Sequence, residues 1–124
     1  MKSIVPPLTR QELEIMKMVW DRGEVPVRDV YEAMRERRPI AYTTVMTMMG
    51  ILERKGHLRR RRDRKAFLYR PVRSRDLVVR SMVREFVDRV FNGAAQPLLV
   101  HLVGNAKLTE EERQELLKAI QEGA

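Results

Sequence analysis

Between Thr9 and Gly56 the chain is cut by Gly23, Pro39 and Gly56 into three short segments whose apolar residues recur at helical spacing. Helices this short are marginal in isolation, so each must bury its stripe against the others. The first opens with Thr9-Arg10-Gln11-Glu12, a capping box in which the Thr9 hydroxyl takes an orphan backbone N–H and Glu12 reaches back to the cap. Leu13, Met16 and Trp20 form its stripe, and Gly23 ends it. Pro26 is expected in the first turn of the second helix, where its missing N–H costs little. Val27, Val30, Tyr31 and Met34 line that helix and Pro39 closes it. The third, Thr43 to Lys55, turns Val45, Met48, Met49 and Leu52 inward and stops at Gly56.

The pattern then changes. From His57 to Pro71 the chain alternates loosely, predicting two short antiparallel strands around Asp63-Arg64-Lys65, a turn without the glycine of a tight hairpin. Pro71 removes a ladder donor and ends the second strand. Ser74 can cap a long helix running to about Phe91. Asn92-Gly93 and Gly104-Asn105 isolate a short apolar segment, Pro97 to Val103, and Thr109 to Glu112 forms a second capping box ahead of the last helix.

Three helices followed by a hairpin is the order of a winged helix-turn-helix. The expected fold is therefore mainly α with a small β-hairpin: a winged helix-turn-helix domain over residues 1–73 and a three-helix arm over residues 74–124. The arm is too small and too apolar to make its own core. A second copy of the chain is the simplest cover, because a two-fold interface is self-complementary. The residues expected at that dimer interface are Val79, Val83, Phe86, Val90, Leu98, Leu99, Leu102, Leu116, Leu117 and Ile120.

Length and charge narrow the function. A chain of 124 residues is the size of one domain, or of one small domain plus an appendage, which excludes a multi-domain enzyme. It has no Cys, so thiolate metal sites and disulfides are absent. No apolar run reaches the ~20 residues of a membrane span, and the start lacks a signal-peptide core, so a soluble cytoplasmic protein with no membrane partner is expected. The formal net charge is +8. It is concentrated: residues 54–75 carry 11 basic side chains and one acidic one. A stripe of that kind suggests a polyanion partner.

Two constellations carry that suggestion. Opposite its core face, the third helix presents Thr43, Thr47, Gly50 and Arg54, with Tyr42 and Thr44 at its start. Small hydroxyls and free amides at a helix N-terminus suit a phosphate, and low bulk lets a helix enter a major groove about 12 Å wide. A solvated face with threonine caps would read the same way. Met46 is expected to pack at the edge of that face. The second constellation is the run Arg59 to Arg62 with Arg64 and Lys65. On a strand, Arg60, Arg62 and Arg64 would share one side until the turn intervenes, and such a tip can lie along a sugar-phosphate backbone. A charge run kept for solubility is the alternative, against which stand the near absence of compensating acid and the apolar Phe67-Leu68-Tyr69 that follows. Phe67 and Tyr69 are expected to pack under the wing, and Trp20 in the core.

Catalysis finds no support. No nucleophile–base pair, phosphate-cradling glycine loop or carboxylate pair is apparent, and neither His57 nor His101 has a Cys, His or carboxylate at ligand spacing in the sequence. No catalytic residue, metal or cofactor is expected. The remaining alternatives are a sequence-indifferent nucleic-acid-binding module acting through the Arg-rich hairpin, and a protein-interaction module docking an acidic partner.

Five blocks together resemble the penicillinase-repressor family (the BlaI/MecI/CopY type). They are Leu13-Glu14-Ile15-Met16 leading to Val19-Trp20, Ala41-Tyr42-Thr43-Thr44-Val45-Met46-Thr47, Leu52-Glu53-Arg54-Lys55-Gly56, Ala66-Phe67-Leu68-Tyr69-Arg70-Pro71, and Phe91-Asn92-Gly93. The resemblance implies a homodimeric winged-helix repressor of beta-lactam-resistance or stress-response genes, binding a double-stranded operator dyad. It places Tyr42, Thr43, Thr44 and Thr47 at the groove and Arg54, Arg62, Arg64 and Lys65 on the backbone, beside the Arg60 of the stripe. Antibiotic-responsive members are switched off by cleavage of an Asn-Phe bond in the arm. His101-Leu102 stands in that place here, so induction at that bond is not implied, and no upstream sensor or protease is specified.

Overall fold

The computed structural model describes residues 5–105 and 108–122, with the backbone alone for residue 105 and residues 120–122. Its elements are α1 (Arg10–Arg22), β1 (Val25–Pro26), α2 (Val27–Arg35), α3 (Tyr42–Arg54), β2 (Leu58–Asp63), β3 (Ala66–Pro71), α4 (Arg75–Phe91), α5 (Ala95–Asn105) and α6 (Glu110–Glu122). They form two compact units, Met1–Met82 and Val83–Ala124. The division falls inside α4 rather than after residue 73. Residues beyond Pro71 join the first unit through the Trp20 indole, whose Nε1 donates to the Arg73 carbonyl at 3.0 Å.

In the first unit every helix stripe converges on one core. Ile15, Met16 and Val19 of α1 meet Val30 and Met34 of α2 and Val45, Met49 and Leu52 of α3. Val25, Leu58 and Tyr69 close it from the strands. The capping box forms: the Glu12 amide donates to Thr9 Oγ1 (3.2 Å) and the Thr9 amide to Glu12 Oε1 (2.8 Å). Trp20 and Met48 pack partly buried against the cluster.

The sheet has three strands in the order β1-β3-β2, all antiparallel. β1 departs from the sequence reading. Val25 pairs with Tyr69 and Pro26 with Leu68, so Pro26 lies on a strand and directly precedes α2 instead of sitting in its first turn. Two residues show no alternation, and only the partner strand makes them a strand. The hairpin itself closes through Arg64-Lys65, with Asp63 opposite Ala66. Arg64 takes the left-handed conformation (φ 58°) that glycine would adopt at lower cost.

A polar cluster secures the root of the hairpin. Gly56 has φ 81°, and a Cβ there would meet the Arg73 guanidinium at 3.3 Å; that guanidinium donates to the Gly56 carbonyl at 2.7 Å. Lys55 Nζ reaches Glu12 at 2.8 Å and the Pro7 carbonyl at 3.2 Å. His57 is fully buried, and its Nε2 donates to the Pro6 carbonyl at 2.9 Å. Burial holds the His57 pKa below the ordinary histidine value, and the nearby Arg73 and Lys55 cations act in the same direction against the Pro6 bond. The folded state therefore binds fewer protons than the unfolded one, and stability is lost as pH falls below about 6.5. Between about pH 7.5 and about pH 5.5 the urea midpoint of the wild-type chain is expected to drop, and that of His57→Gln to drop less. Equal slopes would show that His57 does not carry this dependence.

The second unit holds the end of α4 with α5 and α6. The Phe91 ring meets Phe86 edge-on (centroids 5.9 Å) and tilts against His101 (6.3 Å). α5 starts at Ala95, so Pro97 falls in its first turn, where proline is tolerated. The second capping box forms between Thr109 and Glu112, at 3.0 and 3.1 Å.

Candidate nucleic-acid interface

Burying Val45, Met49 and Leu52 leaves the other side of α3 bare. Thr43, Thr44, Thr47 and Arg54 are exposed, and Tyr42 is 41% exposed. Met46, expected to pack, is 49% exposed and belongs to this face; no neighbouring element covers the turn it occupies. Thr47 Oγ1 donates to the Thr43 carbonyl at 2.9 Å. Its single proton is used within the helix, so outward it offers lone pairs and a methyl group. The Tyr42 ring meets Tyr31 edge-on at 5.3 Å, and the Arg35 guanidinium lies 5.6 Å over Tyr31. The N-cap of α3 is Ala41, which offers no side-chain cap, and its first turn holds no acid, unlike those of α1 and α6. The Thr44 amide donates back to the Ala41 carbonyl at 3.1 Å, and among the described residues no side-chain cap meets the Tyr42 and Thr43 amides, which suit an external acceptor.

The hairpin register sorts the arginines. Arg60 pairs with Tyr69 and Arg62 with Phe67, so these four share the face of Leu58 and the core. Arg59 and Arg61 lie on the other face with Leu68 and Arg70. Arg64 belongs to neither, because the turn takes it out of the pleat. The structure also neutralises part of the stripe. Arg60 Nε lies 3.5 Å from Glu53 of α3, and Arg61 makes a bidentate pair with Glu24 at 2.8 and 2.9 Å. The Arg61 hydrogen bonds hold the Glu24 carboxyl below its usual range, and the Glu24 carboxylate in turn raises the Arg61 pKa. Arg62 Nε donates to the Arg64 carbonyl (3.2 Å), which braces the turn. Arg54, Arg59, Arg64, Lys65 and Arg70 are exposed and make no ion pair among the described residues. Sequence names Arg59 only within the arginine run and Arg70 only within a family-like block; that the two share a face follows only from the register.

Phe67 corrects the sequence reading. It does not pack under the wing: it is 41% exposed near the turn, and the Arg60 guanidinium stacks 4.3 Å over its ring. Tyr69, two residues nearer the core, is buried as expected.

The apolar residues expected at a dimer interface are largely uncovered. Val79, Val83, Phe86 and Val90 are exposed along one side of α4, while Val78 and Val87 are buried. Leu102 and Leu117 are exposed, Leu98, Leu99 and Leu116 half-buried, and the Ile120 side chain lies outside the described residues. Among the described residues no group of His, Asp or Glu is placed to hold a metal ion, and no helix is long and apolar enough to cross a membrane.

The family model described as Penicillinase repressor matches residues 8–122. The chain belongs to the penicillinase repressor family of transcriptional regulators. It is 42% identical over 94 residues to the Transcriptional regulator BlaI of Mycobacterium tuberculosis (strain ATCC 25618 / H37Rv), covering 74% of this chain and 68% of that protein. Over 118 residues it is 25% identical to the Penicillinase repressor of Bacillus licheniformis, covering 95% and 92%. The Methicillin resistance regulatory protein MecI of Staphylococcus aureus (strain N315) is 22% identical over 109 residues, covering 88% and 89%. The winged-helix fold is matched by the solution structure of the DNA binding domain of the repressor BlaI, with a TM-score of 0.53 and 24% identity, covering 60% of this chain and 90% of that one.

Proposed function

We propose that this penicillinase repressor family protein is a sequence-specific transcriptional repressor that binds an operator dyad as a homodimer and acts by occupying the promoter. The observation that carries this reading is the pairing, within one unit, of a threonine-faced α3 without a side-chain cap and a hairpin whose tip cations make no ion pair among the described residues. α3 enters the major groove. Tyr42, Thr43, Thr44 and Thr47 meet base edges and the nearest phosphates, and Arg54, Arg62, Arg64 and Lys65 follow the backbone. Placing Arg64 in a left-handed turn costs stability that glycine would spare, which favours a role for its charge. The exposed stripe on α4 meets its copy, setting two recognition helices about 34–36 Å apart over half-sites one DNA turn apart. No catalytic step is required.

Footprinting the full-length protein on DNA flanking its own gene tests the reading. Protection of a dyad, and stronger binding there than to a scrambled duplex at matched salt, is the expected result. Equal affinity for both would leave a sequence-indifferent module working through the hairpin, and no binding at physiological salt would remove DNA as the partner. Thr47→Ala is expected to weaken dyad binding more than scrambled binding. Arg64→Ala is expected to weaken both and to lower the slope of log K against log salt by about 1 per site.

A further inference from the structure

We infer that Arg60 is a positioning residue: with Glu53 and Phe67 it clamps the hairpin to the C-terminal turn of α3, and it does not neutralise a phosphate. The inference rests on the DNA-binding reading above and refines it. Three observations meet at this side chain. Its Nε lies 3.5 Å from Glu53 Oε2, and its guanidinium carbon lies over the Phe67 ring, 4.3 Å from the centroid. Its Nε and one face of its guanidinium are thus engaged within the chain, although the side chain stays 47% exposed. Phe67 is the diagonal neighbour of Arg60 across the ladder, and it is a large apolar ring left 41% exposed with that cation above it.

Glu53 is the most telling member. A carboxylate in the last turn of a helix opposes the helix dipole, and one beside a phosphate-binding stripe also repels the ligand. Neither cost is explained by the core, since Glu53 is half-exposed. Both are explained if Glu53 serves to hold Arg60. The clamp joins the two elements that must reach one duplex together: α3 through Glu53, and both hairpin strands through Arg60 of β2 and Phe67 of β3. It therefore sets the angle between groove reader and backbone reader. Arg61, bonded to Glu24 on the opposite face, braces the same hairpin from outside.

The test uses the full-length protein, a short mixed-sequence DNA duplex and the fragment flanking its own gene. Arg60→Ala is expected to weaken binding about tenfold while leaving the salt slope at the wild-type value, whereas each phosphate contact removed lowers that slope by about 0.9. The charge swap Glu53→Arg with Arg60→Glu is expected to recover binding to within about threefold of wild type, with each single change weaker than the pair. A slope reduced as in Arg64→Ala, or a swap no better than its single variants, would overturn the inference. An arm without DNA separates it from the wider reading. In the free protein, Arg60→Ala and Glu53→Gln are expected to speed amide exchange across residues 58–71, and unchanged exchange there would equally overturn it. Failure of the wild-type protein to bind either duplex would instead sink the DNA-binding reading, with the exchange measurement still deciding the clamp.

Discussion

Replacing Lys55 by methionine is expected to destabilise the folded chain by about 2–3 kcal/mol, or roughly 10–20 °C in Tm for a unit of this size. Glu12 is 4% exposed and receives Lys55 Nζ at 2.8 and 3.1 Å. Burial alone would raise the Glu12 pKa, but the Lys55 hydrogen bond and the Thr9 cap outweigh it, and the carboxyl sits below 4.5. Removing the cation leaves a buried charge with only the cap to satisfy it, which costs more than the pair itself contributes. The sign of the pH dependence follows. A depressed carboxylate contributes stability that is present above about pH 4.5 and is lost as pH falls through the folded value. The gap between wild type and Lys55→Met should narrow in acid, and the double variant Lys55→Met with Glu12→Gln should be milder than Lys55→Met alone. Urea unfolding at several pH values reads all three. A gap that widens on acidification would show that Glu12 is not the group left stranded.

The second large effect concerns assembly. Val83 and Val90 lie two turns apart on the exposed side of α4, each about half exposed in the single chain. Changing both to glutamate is expected to leave the helix intact, since neither is needed in the chain's own core, and to make the protein monomeric at micromolar concentration. Operator affinity should then fall by on the order of 10²–10⁴, the avidity lost when two linked half-site contacts become independent. Sedimentation and a gel shift measured together decide it. A double variant that remains dimeric, or a wild-type chain that sediments as a monomer, would place the interface elsewhere or remove it. Deleting the chain after Pro71 is a poorer test. It would strip the Arg73 carbonyl from Trp20 and the Arg73 guanidinium from Gly56, so loss of binding could report damage to the first unit.

The pH behaviour of His57 and the clamp at Arg60 share a cause with the Lys55 effect. Each depends on groups brought together around the point where α3 hands over to the hairpin. Lys55, Gly56 and His57 are consecutive in sequence, but they face Glu12, Arg73 and Pro6 respectively. None of those pairings is visible from spacing. Glu12 is legible as a capping residue, and the capping box forms. That it also anchors a lysine 43 positions away is not.

The sequence by itself determined the segments and their ends. Thr9, Ser74 and Thr109 cap helices because a side-chain oxygen can reach an amide three residues on, and Gly23 and Gly56 stop them because the chain must turn left-handed there. The apolar stripes of α1 to α3 and the basic stripe are equally local, set by periods of 3.6 and by charge along the chain. Tertiary structure alone decided that Val25–Pro26 is a strand, that Phe67 is exposed, and that Arg60 and Arg61 are held by Glu53 and Glu24 while Arg54, Arg59, Arg64, Lys65 and Arg70 make no such pair among the described residues. A cap or a stripe is a property of neighbours in sequence. Pairing, burial and the availability of a charge depend on which distant groups the fold brings within a few ångströms, and no short window of residues contains that information.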